Sequence, residues 1–387
     1  MTGRSVSLVV CDGAGDVLGQ IEPFEVETPW WQDTEPIGER FGSLHVLRLL
    51  QVLKPGAGCG GQARYLAEAR EGTRRLPLAP CAEVLGEHPL RMPWARPGGP
   101  AADLEWAAGI VQPSGPPTQH RTWNLSSIWS FPAGGATAWL KCVPGFFRHE
   151  AAVLRLLAGG GAPELLAADG HRILLAEFPG SDGFHATLED KRRLIDHLVE
   201  LQLRTAPLTS DLLGAGVPDA RWPCLVDELA ALVRRRAPQD PHLQRLLDDA
   251  VRLGDEIGEC GLRDVLVHGD AHAGNARIGI DPPIWFDWGD SRVGHPLLDL
   301  AVLSRLPGEE AEALERYWLQ AWARAEVGTD PATAWRLLQP LAVLRQAAVY
   351  QGFLDNIEPS ERLYHEGDVM PALLAASQLA AKRPAQR

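Results

Sequence analysis

Several large protein classes are set aside by what this sequence lacks. Its six cysteines, Cys11, Cys59, Cys81, Cys142, Cys224 and Cys260, contain no C-x-x-C pair. That scatter speaks against a zinc ribbon, a redox dithiol or a dense disulfide framework, and it makes a reducing cytoplasm the expected setting. Positive charge is in deficit: 37 Lys and Arg stand against 50 Asp and Glu, a net charge of -13. A nucleic-acid or anionic-membrane binder needs a basic face to neutralise phosphate, so neither is expected as a partner. A local basic pocket for a nucleotide stays compatible with that total. No apolar stretch approaches bilayer length, and the run Val6 to Val10 is far short of a signal-peptide core. Neither a Walker A sequence nor a G-x-S-x-G elbow occurs. His268 and His272 are four apart, but Gly269 stands where a zinc-protease helix would need Glu. Gly56 to Gly61 satisfies G-x-G-x-x-G, yet Pro55 precedes it and no helix-opening pattern follows, so a dinucleotide site is not expected there.

What is present is an ordinary globular composition, 45% hydrophobic and 22% charged, in a chain of 387 residues, which suits two or three domains with a sizeable core. Residues 1–95 read as a small α+β domain. A strand starts at Val6, a second extended segment runs from Val17 to Glu27, a short helix falls near Glu35, and ordered runs cover Leu44 to Leu53 and Ala63 to Ala69. This order is loosely similar to a Nudix-like fold, but the acidic Nudix box is absent and hydrolysis is not assigned to it. Residues 96–118, rich in proline and glycine, read as a linker. A new pattern follows. Arg121 to Asn124, Ile128 to Phe131 and Ala138 to Val143 read as strands, Arg148 to Leu157 as a helix, and Ile173 to Phe178 as a strand ending at Pro179-Gly180. Beyond residue 181 helical periodicity dominates, in Asp190 to Leu203, Leu225 to Val233, Leu243 to Ile257, Glu309 to Arg324 and Ala332 to Tyr350, interrupted by a β-rich insertion at Val265 to Trp288. The expected architecture is therefore α+β. A bilobal, protein-kinase-like fold, with a β-rich N-lobe over 119–180 and a helical C-lobe over 181–387, follows the extra N-terminal domain.

The insertion carries the chemistry. Val267-His268-Gly269-Asp270-Ala271-His272-Ala273-Gly274-Asn275 is followed, after a hairpin-length gap, by Trp285-Phe286-Asp287-Trp288-Gly289. Phosphoryl transfer asks for a carboxylate to orient the attacking hydroxyl and accept its proton, and for oxygen ligands to the Mg²⁺ that bridges the phosphates. Asp270 is the candidate base, and Asn275 and Asp287 the candidate metal ligands. The step from Asp270 to Asn275 matches the Asp-x4-Asn interval of the protein-kinase catalytic loop, and Asp287-Trp288-Gly289 stands in the place of Asp-Phe-Gly. A lone Asp before Gly is ordinarily a turn residue and a lone buried His a satisfied core group; their joint order and spacing reverse that reading.

His-Gly-Asp-x-His-x-x-Asn, then Asp, then Gly294-His295-Pro296-Leu297-Leu298-Asp299-Leu300-Ala301, resembles the signature of the aminoglycoside phosphotransferase and choline-kinase-like superfamily of small-molecule kinases. The likeness runs over roughly residues 119–387. One position departs: the family often has Asp where this chain has His295. The resemblance implies ATP or GTP with Mg²⁺ as cofactors, His268 and His272 as loop-shaping residues, and Asp299 as the tie of the loop backbone. It further implies that Lys141 meets the nucleotide phosphates and is held by Glu150. A turn at Asn124 to Ser127 would offer Ser126 and Ser127 to the phosphates, though a plain hairpin turn reads almost equally well. Glu177 and Phe178 would meet the nucleobase edge through backbone groups, which leaves ATP and GTP unseparated.

The acceptor must reach Asp270 from the helical lobe. Tyr350, Asp355, Asn356 and Glu358 are the candidates, with acidic side chains suited to a cationic amino sugar or equally to a solvated surface. The expected function is transfer of the γ-phosphate to a hydroxyl of a small molecule, such as an aminoglycoside, nucleoside or other sugar-bearing antibiotic. A choline, homoserine or sugar kinase is the competing reading, and a non-catalytic nucleotide-binding pseudokinase the third.

Overall fold

A computed structural model describes residues 3–55, 59–70 and 76–383. The central part of the G-x-G-x-x-G match, Gly56 to Gly58, lies outside them. The described chain divides into two compact units: residues 1–148, 165–177 and 353–367 form the first, and residues 149–164, 178–352 and 368–387 the second.

The first unit holds two sheets. Strands β1 (Arg4–Cys11), β2 (Val17–Val26), β3 (Leu44–Leu53) and β4 (Gln62–Ala69), with the helix α1 (Glu35–Arg40) between β2 and β3, make a four-stranded sheet of order β2-β1-β4-β3 in which only β1 and β4 run parallel. Alternation decides its faces. Val6, Leu8 and Val10 of β1 enter one buried cluster with Trp31, Ile37 and Tyr65, whereas Val9 and Cys11 enter another with Leu47 and Leu66. After the helix α2 (Gly99–Val111), strands β5 (Thr118–Thr122), β6 (Ser127–Ala133), β7 (Ala136–Cys142), β8 (Leu165–Asp169) and β9 (Arg172–Ala176) form an antiparallel sheet of order β5-β6-β7-β9-β8. The extra N-terminal domain is joined to this sheet and does not hang from a tether. The Gln119 side chain on β5 both donates to the carbonyl of Val46 on β3 (2.8 Å) and accepts from its N–H (2.9 Å), and the His45 ring packs edge-on against Trp129 at 4.8 Å. The stretch read as a linker contains α2: Gly98 starts it at φ 78° and Gln112 ends it at φ 49°, and Asp103 and Ala107 are buried. Proline at a first-turn position, Pro100, costs a helix nothing, which is why proline and glycine content misdirected that reading.

The second unit contains helices α3 (Glu150–Leu156), α4 (Leu188–Thr205), α5 (Thr209–Gly214), α6 (Trp222–Arg236), α7 (Pro241–Asp248), α8 (Ala250–Glu259), α9 (Gly308–Ala325), most of α10 (Pro331–Asp355), and α11 (Val369–Ala381). Helix α4 opens on a capping box in which Thr187 and Asp190 exchange side-chain and backbone hydrogen bonds, and it buries Leu194, Ile195, Leu198, Val199 and Leu201 on the side that meets α9. The single helix expected over Leu243 to Ile257 is two, α7 and α8, parted at Asp249. Six short strands, β10 (Ser181–Asp182), β11 (Asp219–Ala220), β12 (Val265–Val267), β13 (Ala276–Ile278), β14 (Ile284–Trp285) and β15 (Arg292–Gly294), make two three-stranded sheets of order β10-β13-β14 and β11-β15-β12. No helix of the described residues is long and apolar enough to cross a membrane.

Candidate active site

The loop 268–275 leaves the end of β12, whose three residues are all buried, and is delivered to β13 by a short 3-10 turn at Ala273–Asn275. The β13–β14 hairpin then sets Phe286 beside Asn275, since the Phe286 N–H donates to the Asn275 carbonyl at 3.0 Å. Chain order therefore places Asp287 directly after the residue tied to Asn275, so the motif's two halves meet.

Asp270 is held from three sides. Arg305 Nη1 lies 2.6 Å from Oδ1, His272 Nε2 lies 3.2 Å from Oδ2, and Asn275 Nδ2 donates to both Oδ2 and the main-chain carbonyl at 3.0 Å. Burial alone would raise the Asp270 carboxyl, but the His272 hydrogen bond and the Arg305 charge outweigh it and hold the group well below the ordinary carboxylate range. It is a carboxylate at neutral pH, as an orienting base must be. Because the Asn275 amide nitrogen is committed to Asp270, its amide oxygen is the atom left to act as a metal ligand. Asp287 sits at φ 63°, ψ 60°, a left-handed conformation that non-glycine residues adopt mostly where function or tight turns demand it. Asp290, one turn on, is pushed up to about 7 by desolvation and then by the charges of Asp270 and Asp287. That concentration of carboxylates fits a divalent cation held by oxygen atoms.

The backbone of the loop is anchored from below. Asp299, buried, accepts from the N–H of His268 (3.0 Å) and of Gly269 (2.7 Å), and Gln202 on α4 donates to it at 2.9 Å. Gln202 is itself fixed, because its amide oxygen accepts from Trp322 Nε1 at 3.2 Å. His268 is buried against Trp288 and bonded through Nε2 to the Phe286 carbonyl (3.0 Å); desolvation lowers it to about 4, so the ring is neutral. Gly269, at φ 88°, lies so close to Asp290 that a Cβ would collide with the Asp290 carbonyl. His295, where Asp is common in the resembled family, is buried and neutral, and its Nδ1 accepts from the Leu297 N–H at 3.3 Å, capping the turn that carries Asp299.

The remaining candidates separate by unit. Lys141 lies buried on β7, in register with Ile128 and Ile173, in the first unit. Glu150 belongs to the second, where it opens α3, is buried, and accepts from the Trp288 N–H at 3.2 Å. Ser126 and Ser127 depart from the expected phosphate role: both are buried, and their hydroxyl oxygens accept from Trp123 Nε1 (3.0 Å) and Trp129 Nε1 (2.9 Å). Glu177, exposed, caps the N–H of Thr137 at 3.0 Å, and Phe178 packs on Phe286 at 5.7 Å. Among the acceptor candidates, Tyr350 belongs to the second unit and lies 3.4 Å from Arg305 Nη2. Asp355, Asn356 and Glu358 fall in the first. Asp355 and Asn356 are exposed, whereas Glu358 is buried between Arg48 (3.3 Å) and Arg91 (3.0 Å), a structural role and not a ligand-facing one.

Two features escaped the sequence. Arg305, on the far side of the Asp-Leu-Ala turn, pairs with Asp270, and nothing in its neighbours marks it. A cavity of about 320 Å³ adjoins the loop, lined by Ala271 to Gly274, Phe184, Leu194, Ile195, Trp318, Leu306 and, as its cations, Lys191 and Arg305.

Comparisons with known proteins agree with this geometry. The profile of the phosphotransferase enzyme family APH matches residues 144–331. Among solved structures, a macrolide 2'-phosphotransferase type I is 20% identical with a TM-score of 0.51, over 74% of this chain and 98% of that one. A choline/ethanolamine kinase family protein from Mesorhizobium loti is 15% identical with a TM-score of 0.50, over 74% and 95%. The GDP and kanamycin complex of APH(2")-IIia is 13% identical with a TM-score of 0.51, over 73% and 99%. No curated protein sequence matches. At such identities the structures establish the kinase-like α+β fold, and the segment that carries Asp270, Asn275, Asp287 and Asp299 is the one the family profile covers. Residues 144–331 thus match the phosphotransferase enzyme family APH, and the chain shares the fold of small-molecule phosphotransferases.

Proposed function

We propose that the protein transfers the γ-phosphate of ATP or GTP to a hydroxyl group of a small molecule. The observation that carries this is the Asp270 constellation: an ionised carboxylate fixed by His272, Asn275 and Arg305 on a loop whose backbone is anchored by Asp299. Asp270 orients the acceptor hydroxyl and takes its proton. Asn275 through its amide oxygen and Asp287 through its carboxylate are the residues suited to Mg²⁺, which when bound neutralises charge on the phosphates. Lys141 is proposed for the nucleotide phosphates, with Glu150 as its supporting carboxylate, and Phe178 with Glu177 for the nucleobase edge.

On the acceptor side, the cavity beside the loop favours a hydroxylated compound with an apolar body. Its walls are leucine, isoleucine, phenylalanine and tryptophan, no Asp or Glu lines it, and its two charged groups are cations. Lys191 is paired with Glu310 at 2.5 Å and Arg305 with Asp270 at 2.6 Å, so neither leaves a net positive charge there, and the apolar walls are what favour an acceptor with an apolar body.

The test is a nucleotide-consumption screen with Mg²⁺, ATP or GTP and a panel of hydroxylated antibiotics and metabolites, read by mass-spectrometric detection of the phosphate adduct. Turnover is expected on an acceptor with an apolar body and is expected to fall at least about 100-fold in Asp270→Asn, the scale of a lost general base. Turnover that persists unchanged in that variant removes the assigned mechanism. Nucleotide binding without turnover on any acceptor would favour the pseudokinase reading.

A further inference from the structure

Outside the catalytic loop, the first unit brings together three side chains from distant parts of the chain. Asp103 comes from α2, Cys142 from the end of β7, and His171 from the turn between β8 and β9. Their ligand atoms all lie within 4.8 Å of one another: Cys142 Sγ is 3.3 Å from Asp103 Oδ2, and His171 Nε2 is 2.9 Å from Asp103 Oδ1. Asp103 and Cys142 are buried, and His171 is partly exposed. We propose that Asp103, Cys142 and His171 form a binding site for one divalent transition-metal ion of the zinc type, completed by water on the His171 side.

Three observations carry this beyond an internal hydrogen-bond cluster. The first is chemical type: one soft sulfur, one imidazole nitrogen and one carboxylate oxygen is a donor set that suits zinc and not magnesium or calcium. The second is spacing. Bonds of about 2.0 to 2.3 Å at tetrahedral angles put ligand atoms roughly 3.3 to 3.8 Å apart. The observed separations, 3.3 Å from the sulfur to one Asp103 oxygen and 2.9 Å from the imidazole nitrogen to the other, stand near that range, with all the ligand atoms within 4.8 Å of one another. The third is charge. A thiolate, a carboxylate and a divalent cation sum to zero, which suits a place where Asp103 and Cys142 are buried. Metal entry releases the Cys142 thiol proton to solvent and leaves the imidazole protonated on Nδ1. The support around the ligands is already in place. The Val143 N–H donates to the His171 carbonyl at 2.8 Å, Trp94 packs near the His171 ring at 6.2 Å, and the neighbouring Arg172 lies over Trp106 of α2 at 4.8 Å. Occupation would clamp α2 to the five-stranded sheet, one residue from Lys141.

The full-length protein, stripped by chelation and kept in excess Mg²⁺ so that the catalytic oxygens are occupied, is titrated with Zn²⁺ and separately with Co²⁺ under reducing conditions. One equivalent of Zn²⁺ is expected to bind with a rise of several degrees in melting temperature. Co²⁺ is expected to give a thiolate charge-transfer absorption that Cys142→Ala abolishes, and His171→Ala is expected to weaken Zn²⁺ binding at least about tenfold. His171 lies at a partly exposed turn, so its variant keeps the test decisive if Cys142→Ala fails to fold. Absence of a thiolate band in the wild-type protein overturns the proposal, as does a band that survives Cys142→Ala or binding that His171→Ala leaves unchanged; the three residues would then be a hydrogen-bonded cluster only.

Discussion

Asp299 offers the sharpest test of how the catalytic loop is held. Its carboxylate satisfies three buried donors: the backbone N–H groups of His268 and Gly269 and the side-chain amide of Gln202. Asp299→Ala leaves the two backbone N–H groups without an acceptor, while Gln202 keeps its bond to the Pro296 carbonyl at 3.3 Å; at about 1 to 3 kcal/mol for each orphaned donor the cost falls at roughly 2 to 6 kcal/mol. A domain with a total of about 5 to 15 kcal/mol would lose a large part of its stability. Asp299→Asn separates electrostatics from bare loss of contact. One oxygen survives, but the new amide must point an N–H at one of the three donors, and Gln202 cannot rotate to help because Trp322 holds its oxygen. A single donor–donor conflict sets that variant at about 1 to 3 kcal/mol, and a displacement of the Asp270 backbone near 1 Å adds on the order of a 100-fold loss of turnover. Urea unfolding followed by tryptophan fluorescence reads the stability, with Trp285 and Trp288 flanking the loop, and adduct formation reads the activity. If Asp299→Ala and Asp299→Asn both unfold within about 0.5 kcal/mol of the wild type, the anchor argument is wrong.

Other variants address the remaining features. Gly269→Ala would drive a Cβ into the Asp290 carbonyl from a left-handed backbone, and turnover is expected to fall about 100-fold at little cost to global melting; unchanged kinetics would show that the loop relaxes freely. Glu358→Ala leaves Arg48 and Arg91 buried without their shared carboxylate, and a loss of about 3 to 5 kcal/mol is expected in denaturant unfolding. At low pH, His45, His197, His295 and His365 are each lowered from 6.5 to about 4, chiefly by desolvation. The unfolded chain takes up those protons first, so the contribution of these histidines is full above pH 6.5 and falls as pH drops from 6.5 towards 4. Buried acids with raised values act with the opposite sign there, so the comparison is with His197→Gln, whose urea midpoint should fall less than that of the wild type; parallel profiles would contradict neutral burial of that ring.

The candidate catalytic loop stood out because its proposed chemistry and its local geometry use the same residues. Gly269 is required by the turn, Asp270 and Asn275 by the proposed reaction, and Asp299 by the loop's own N–H groups, so one short stretch encodes both. The helices of the second unit were legible for an equally local reason, a periodic apolar face closed by caps such as Thr187. What stayed hidden depends on long-range placement. Arg305 is one arginine among many until the fold brings it to Asp270, 35 positions away. Glu358 read as either a ligand-facing or a solvated acid, and its burial was hidden because its partners, Arg48 and Arg91, lie more than 260 positions earlier in the chain. Helix α2 was hidden differently, since the proline and glycine that mark a linker also start a helix when they fall in its first turn.

Glu361 joins the hidden class and yields the most discriminating pH experiment on the first unit. It is buried, its Oε1 meets no hydrogen-bond partner among the described residues, and it is pushed up to about 8 by desolvation and then by the neighbouring Glu358 charge. An unfolded glutamate ionises near 4.5, so between pH 4.5 and 8 the folded chain holds a proton that the unfolded chain has lost. Folding stability therefore declines as pH rises through that window, by up to about 1.4 kcal/mol per pH unit from this group. Its sign is opposite to that of the histidines, which act below pH 6.5; Asp290, pushed up to about 7, shares its sign, so the difference between the wild type and a Glu361 variant from pH 6.5 to 8 isolates it. Glu361→Gln keeps the shape and removes this titration: its unfolding midpoint should fall less steeply from pH 6.5 to 8 than that of the wild type. Parallel pH profiles for the two proteins would mean that Glu361 is ionised throughout and that Arg48 and Arg91 neutralise both acids together.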